Sequence, residues 1–280
     1  MNLADQVTVI IPTSPVERHP ATDVIEETID SVLQRLPGVE ILVVADGVRP
    51  EQQALTKNYR LYLYLLAALC AHDWSNVLLV IADGWGHQAN VTRLALAKVR
   101  TPLVLFVEHD TPLVGDIEWA PLVELVESGE ANVVRFYHEA EIQPEHEHLM
   151  VDEESRLRLT EFCDGTVGGS TTAWLRRTMQ WSQRPHLAST RFYRMVVDRY
   201  FAPSSRTMIE DVMHGIVEVA WREYGEPGWW DWRLWIYTPT DGGDIKRSTH
   251  LDWRGDAPKF EMQPAYPGGV IPPVYTAADK

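Results

Sequence analysis

The sequence predicts a single α/β domain with a mostly parallel central sheet flanked by helices. Three observations carry this. Short β-branched runs alternate with stretches of helical periodicity over the first 110 residues. Three successive predicted strands close on an acidic residue, at Asp46, Asp83 and Asp110. Finally, 280 residues with 45% hydrophobic and 23% charged side chains are enough for one large packed domain.

The elements follow in order. Val7-Thr8-Val9-Ile10-Ile11 is a β-branched run stopped by Pro12, as suits a strand buried on both faces. From Val24 to Leu36 the spacing is helical, with Ile25, Ile29, Val32 and Leu33 on one face, and Pro37-Gly38 ends it. Val39 to Ala45 predicts the second strand, closed by Asp46-Gly47. A long helix is predicted from Glu51 to about His72, and a third strand from Val77 to Ala82, closed by Asp83-Gly84. Asn90 to Val99 reads as helix, and Leu103 to Val107 as the fourth strand, closed by Glu108-His109-Asp110. Beyond it a short helix is expected at Pro121–Ser128 and a short strand at Asn132–Phe136. Glu139 to Glu154 reads as a loop. Further helices are expected near Trp174–Gln183, Arg191–Phe201 and Asp211–Tyr224. The Pro/Gly-rich tail from Pro258 reads as a surface wrap.

Composition narrows the function. A formal net charge of −15 argues against non-specific nucleic-acid binding, which needs a basic surface. Cys70 and Cys163 have no metal-ligand spacing, and a reduced, cytoplasmic setting is expected. The start of the chain carries no secretory pattern. The longest apolar run, Leu61 to Ala71, is too short to span a bilayer, so a soluble protein is expected.

In open α/β sheets, ligands bind outside the carboxyl ends of the strands, where these acids gather. Asp83-Gly84 also reads as an ordinary turn. Glu108 and Asp110, two carboxylates at i and i+2 past a buried strand, can turn toward one hard cation. Magnesium or manganese suits such oxygen ligands, and the metal can bridge phosphates. His250, in a polar loop, is a candidate third ligand, with Asp252 competing; manganese accepts imidazole better. Glu210-Asp211 opens a predicted helix, so Asp211 can serve as a cap, as a general base, or as both. Trp221, Trp229, Trp230, Trp232 and Trp235 crowd one stretch, where some are core and others can line a sugar or base pocket.

These residues together resemble family 2 glycosyltransferases of the GT-A fold. Val9-Ile10-Ile11-Pro12-Thr13 looks like the family's opening strand, and Glu40 to Gly47 like the strand whose Asp binds the base. Asn90 with Ala95 and Ala97 is similar to the helix before the metal strand. Glu108-His109-Asp110 sits where the family carries Asp-x-Asp. Gly168-Gly169-Ser170 resembles the segment on the acceptor side, and Glu210-Asp211 the family's Glu-Asp pair. The likeness covers roughly residues 5 to 225. It departs where Glu replaces the first metal Asp, where Pro15 and Pro20 enter the first loop, and where Ala45 replaces a second Asp.

The resemblance implies a GT-A (Rossmann-like) domain over residues 1–256, with a donor half to about 115, an acceptor half to 256, and a surface tail over 257–280. It implies an inverting transferase that moves a sugar from a nucleotide sugar, UDP-sugar favoured, to a hydroxyl. The acceptor would be a glycan, a small molecule or a hydroxymethylated base of viral DNA. Asp110, Glu108 and His250 would hold Mn2+ or Mg2+. Pro12, Thr13, Asp46, Asp83, Asn90, Arg93, Glu108, His109 and Arg247 would meet the donor. Arg176 and Lys246 are further candidate phosphate partners. Gly169, Ser170 and Trp230 would face the acceptor, and Asp211, beside Glu210, would be the base. Two alternatives are a GT-A-like nucleotidyltransferase and a sugar-binding relative without catalysis.

Overall fold

The computed structural model describes residues 2–151, 156–158, 174–238 and 244–251. The nine strands among them are β1 (Val7–Thr13), β2 (Glu40–Ala45), β3 (Val77–Ile81), β4 (Leu103–Phe106), β5 (Val133–Arg135), β6 (Arg156–Arg158), β7 (Trp174–Arg177), β8 (His186–Ser189) and β9 (Leu234–Thr238). They form one sheet in the order β3-β2-β1-β4-β8-β5-β9-β7-β6. The pairs β1–β2, β1–β4, β2–β3 and β5–β9 are parallel. Only β7 and β8 run against the rest, so the sheet is mostly parallel in strand direction.

Seven α-helices among the described residues flank it: α1 (Asp23–Arg35), α2 (Thr56–His72), α3 (His87–Leu96), α4 (Trp119–Glu127), α5 (Thr190–Tyr200), α6 (Ile209–Tyr224) and α7 (Glu226–Trp232). The central strands read as unbroken apolar runs because both faces are covered. Odd-numbered side chains of β1, namely Val7, Val9 and Ile11, pack against α1, α2 and α4 in one core. Ile10, with Val44, Val104 and Phe106, packs against α3, α5 and α6 in the other. The architecture is therefore the single α/β domain that the strand–helix rhythm predicts.

Two glycines permit close approaches. A Cβ on Gly47 would lie 2.3 Å from the backbone of Gly84 and Trp85, so the β2 and β3 turns can touch only with glycine there. A Cβ on Gly228 would lie 2.1 Å from the Ala220 carbonyl oxygen, so glycine lets α7 fold back onto α6.

Some expectations are corrected. Trp174–Gln183 does not form a helix: Trp174–Arg177 is strand β7, paired with β9 and β6. Its tertiary pairing overrides a weak helical pattern, and Leu175 is buried between neighbours. Strands β6, β8 and β9 and helix α7 are absent from the sequence reading; all four are short, β9 and α7 are rich in aromatic residues, and none carries a clear period. Within the segment read as a loop, Pro144–Leu149 is a 3-10 helix. Helix α3 begins at His87, three residues ahead of Asn90. The tail over 257–280, and Cys163, lie outside the described residues. Among those described, no helix is long and apolar enough to cross a membrane.

Candidate active site at the carboxyl edge of the sheet

β4 delivers Glu108, His109 and Asp110 to the carboxyl edge. Asp110 is 1% exposed, and its Oδ2 has no hydrogen-bond partner among the described residues. That oxygen lies 3.5 Å from Nε2 of His250. The approach is built by a strap, residues 244–251, that crosses the strand ends. Leu251 N–H donates to the Asp110 carbonyl and Thr249 N–H to that of Pro112, while Val114 N–H donates to the Arg247 carbonyl. Ser248 is fully buried, and its Oγ pairs with His138 Nδ1 at 2.8 Å. His138 and His250 then meet ring edge to face, with centroids 6.3 Å apart. Burial, then Arg184 and His250, push the His138 imidazole down to about 3, so it is neutral.

The pair Asp110–His250 fits a divalent cation on two counts. A buried carboxylate oxygen without a donor is costly unless something compensates it. Two donor atoms 3.5 Å apart can also share one ion with bonds of about 2.1 Å. No group of three or more His, Cys, Asp or Glu side chains with metal-binding geometry occurs among the described residues. The protein offers two converging donors there. Glu108 instead accepts from Gln88 Nε2 at 3.3 Å. His109 points its ring toward the opposite layer, lining a small cavity with Arg18, His19 and Tyr62. Asp252 lies outside the described residues.

The acidic pair at the start of α6 reaches the same edge. Glu210 Oε2 accepts from the Gln183 backbone N–H at 2.8 Å. Burial raises its carboxyl above the usual range and nearby Asp211 adds to this, against the Gln183 amide and Arg135. Burial alone raises Asp211. The Asp211 carboxylate makes no hydrogen bond among the described residues.

Asp46 plays a structural part. Its Oδ1 accepts from Gly47 N–H at 2.8 Å and Gly86 N–H at 2.6 Å, and its Oδ2 from His87 N–H at 2.9 Å. It thus holds the start of α3 on the end of β2, an anion at a helix N-terminus. Burial raises its carboxyl, although these three amides and Arg49 favour the charge. Beside it, Arg49 lies over the Trp85 ring at 5.7 Å and 3.1 Å from His87 Nε2. Thr13 Oγ1 pairs with Tyr62 OH at 3.0 Å, and Pro12 precedes it at the end of β1.

Other predicted contacts are already engaged. Asn90 donates to the carbonyls of Gly86 and Ser205, and Arg93 grips Asn90, Asp198 and the carbonyls of Val197 and Phe201. This network ties α3 to the end of α5. Arg176 pairs with Glu147. Arg247 bonds to carbonyls of its own strap, and Lys246 pairs with Tyr137 through the backbone alone. Asp83 is exposed past β3.

Trp230 is not brought to this edge. It is 41% exposed on α7, which leads into Leu234, the first residue of β9. Leu234 pairs with Val133 at the start of β5, so Trp230 sits at the amino edge of the sheet. Trp229, Trp232 and Trp235 are core. Gly169 and Ser170 lie outside the described residues.

Sequence reasoning missed Gln88, His138, Gln183 and Arg184. Arg184 makes a two-pronged ion pair with Glu139 and lies over Tyr137 at 4.2 Å. These residues follow short strands or helix starts, and only their position past a strand end could have marked them.

No protein-family model and no curated protein sequence matches the chain. Solved structures do resemble it. GalNAc-T7, solved with UDP, GalNAc and Mn2+, aligns over 88% of this chain and 43% of its own, with 11% identity and a TM-score of 0.52. S. aureus TarS aligns over 90% of this chain and 37% of its own, with 14% identity and a TM-score of 0.47. The chain thus spans less than half the length of either protein. The likeness is one of fold, and the fold is that of GT-A-like glycosyltransferases.

Proposed function

We propose that this protein is an inverting glycosyltransferase that uses a nucleoside-diphosphate sugar, with UDP-sugar favoured. The observation that carries the reading is the meeting of two acidic centres at one sheet edge. Asp110 faces His250, and Glu210–Asp211 stands across Gln88 and Gln183 from Glu108. The neighbour of this fold solved with UDP, GalNAc and Mn2+ supports the donor and metal class.

In this reading residues 1–115 form the donor half and 116–256 the acceptor half. Asp110 and His250 would hold Mn2+ or Mg2+, with Glu108 nearby; when bound, the ion offsets charge on the departing diphosphate. Asp211 takes the proton of the acceptor hydroxyl as its oxygen attacks the anomeric carbon. The bond from that carbon to the phosphate oxygen breaks, and the nucleoside diphosphate leaves with the electron pair. One displacement inverts the anomeric centre. The raised carboxyl of Asp211 moves its proton affinity toward that of a working base.

The acceptor is a hydroxyl of a glycan, a small molecule or a modified DNA base, and a net charge of −15 weighs against the last. Nucleotidyl transfer is the second reading, disfavoured because residues 12–18 contain no glycine to wrap a triphosphate. Nucleotide release from a panel of nucleotide sugars, with and without Mn2+, tests the proposal. UDP release that disappears in Asp211→Asn while donor binding persists is the expected result. Pyrophosphate release from a nucleoside triphosphate would favour the second reading, and near-normal turnover in Asp211→Asn would remove Asp211 as the base.

A further inference from the structure

Gln88 is 7% exposed in the first turn of α3, and its amide is fully engaged. Oε1 accepts from the backbone N–H of Ile209 at 2.9 Å. Nε2 donates to Glu108 Oε1 at 3.3 Å and to the side-chain oxygen of Gln183. Gln183 in turn donates its backbone N–H to Glu210 Oε2 at 2.8 Å. One side chain therefore joins the end of β4, the loop before β8 and the start of α6.

The start of α6 needs such a partner. Its N-cap residue, Met208, offers no side-chain hydrogen bond, and Ile209 is the first residue of the helix. Helix starts leave backbone N–H groups without partners, and an N-cap oxygen ordinarily takes one. Here the oxygen comes from another helix. An amide suits this place because it accepts toward Ile209 while donating toward Glu108 and Gln183. Methionine fills similar space and does neither, and glutamate accepts without donating.

We propose that Gln88 is a positioning residue that sets the spacing between Glu108, on the donor side, and the Glu210–Asp211 pair, on the acceptor side. This rests on the reading of Asp211 as base and of the β4 end as the donor site. Gln88 touches no reacting atom in this account. It acts through Glu108 on one side and through Gln183 and the α6 backbone on the other. Its loss would misplace the base while leaving the donor site formed, and small misplacements cost rate steeply.

The test uses the full chain with Gln88→Met and Gln88→Glu, in two measurements. The first is steady-state UDP release from the UDP-sugar that the wild type accepts. The second is hydrogen exchange at the backbone amides of Ile209 and Gln183. In Gln88→Met both amides should exchange at least about tenfold faster, kcat should fall at least about tenfold, and the donor KM should stay within about twofold. Gln88→Glu should keep the Ile209 amide slow, yet speed exchange at Gln183 and lower kcat as Gln88→Met does. Recovery of kcat in Gln88→Glu would mean that Gln88 only caps α6 and would overturn the proposal, as would a donor KM that rises in step with the fall in kcat. Absence of any UDP-sugar turnover in the wild type would sink the transferase reading instead. The exchange arm stands without turnover: unchanged exchange at both amides in Gln88→Met overturns the link itself.

Discussion

Nε2 of His250 lies 3.5 Å from Oδ2 of Asp110, an oxygen buried without a hydrogen-bond donor among the described residues. The two residues are far apart in sequence, and the strap over 244–251 brings them together through backbone bonds to residues 110–114 and 137. Histidine approaches from the more open side, with its side chain 38% exposed. Asp110 lies beneath it, 1% exposed.

Asp46 holds three backbone amides, so its first contribution is to stability. Asp46→Asn keeps one carbonyl oxygen but turns an NH2 toward the His87 N–H. The expected cost is about 2–4 kcal/mol, since bonds to a charged group are worth roughly 1.5–3 each and are partly kept. Urea unfolding of the two proteins measures it. An unchanged midpoint would mean that these three bonds do not matter to the fold.

Arg93 is expected to support the fold and leave the nucleotide alone. Its guanidinium joins α3 to Asn90 and to two carbonyls at the end of α5. Arg93→Met should lower stability by about 2–3 kcal/mol, with several polar groups losing partners. UDP affinity, read by calorimetry at a temperature where the variant is folded, should stay within about twofold. A large loss of affinity in a stable variant would restore Arg93 as a phosphate contact.

Histidine burial sets an acid limit. His19, His87 and His186 are each pushed down to about 4, chiefly by burial. Their folded forms bind protons more weakly than the unfolded chain, whose value is near 6.5. The stability they contribute is fully present above about 6.5 and is lost as pH falls toward about 4. Asp46, Glu210 and Asp211 act the other way, because their raised values favour the protonated folded form. His186 isolates the effect: it stacks on Phe106 and is buried. His186→Phe should flatten the fall in unfolding free energy between pH 6.5 and pH 4 by up to about 1.4 kcal/mol per pH unit, the effect of one proton. An identical slope in both proteins would exclude His186 as a contributor.

Much of the N-terminal part, residues 1–115, was legible because its central strands are buried on both faces. Val7-Thr8-Val9-Ile10-Ile11 and Leu103 to Val107 are apolar runs bounded by turn residues, and α1 carries a clear stripe of Ile25, Ile29 and Val32. The C-terminal half was less legible because its strands are short and its partners distant. Trp174–Arg177 is a strand only because β9 lies beside it, and no local signal announces that pairing. The same holds for the site. Asp110, His250 and Glu210–Asp211 could be singled out as candidates from residue type and position. Gln88 was missed because a lone glutamine has no motif, and its role exists only once α3, β4 and α6 meet. In the tryptophan-rich stretch composition could not say which members are core: Trp229, Trp232 and Trp235 are, and Trp230 faces the far edge.

Asp110 is the central residue of the proposed site, and Mn2+-dependent UDP binding tests its role without requiring the acceptor. The wild type should bind UDP at least about tenfold more tightly with Mn2+ than in excess chelator, and Asp110→Ala should abolish that difference while keeping its thermal unfolding cooperative. Equal UDP affinity with and without the metal in the wild type, or a metal effect undiminished in Asp110→Ala, would contradict it.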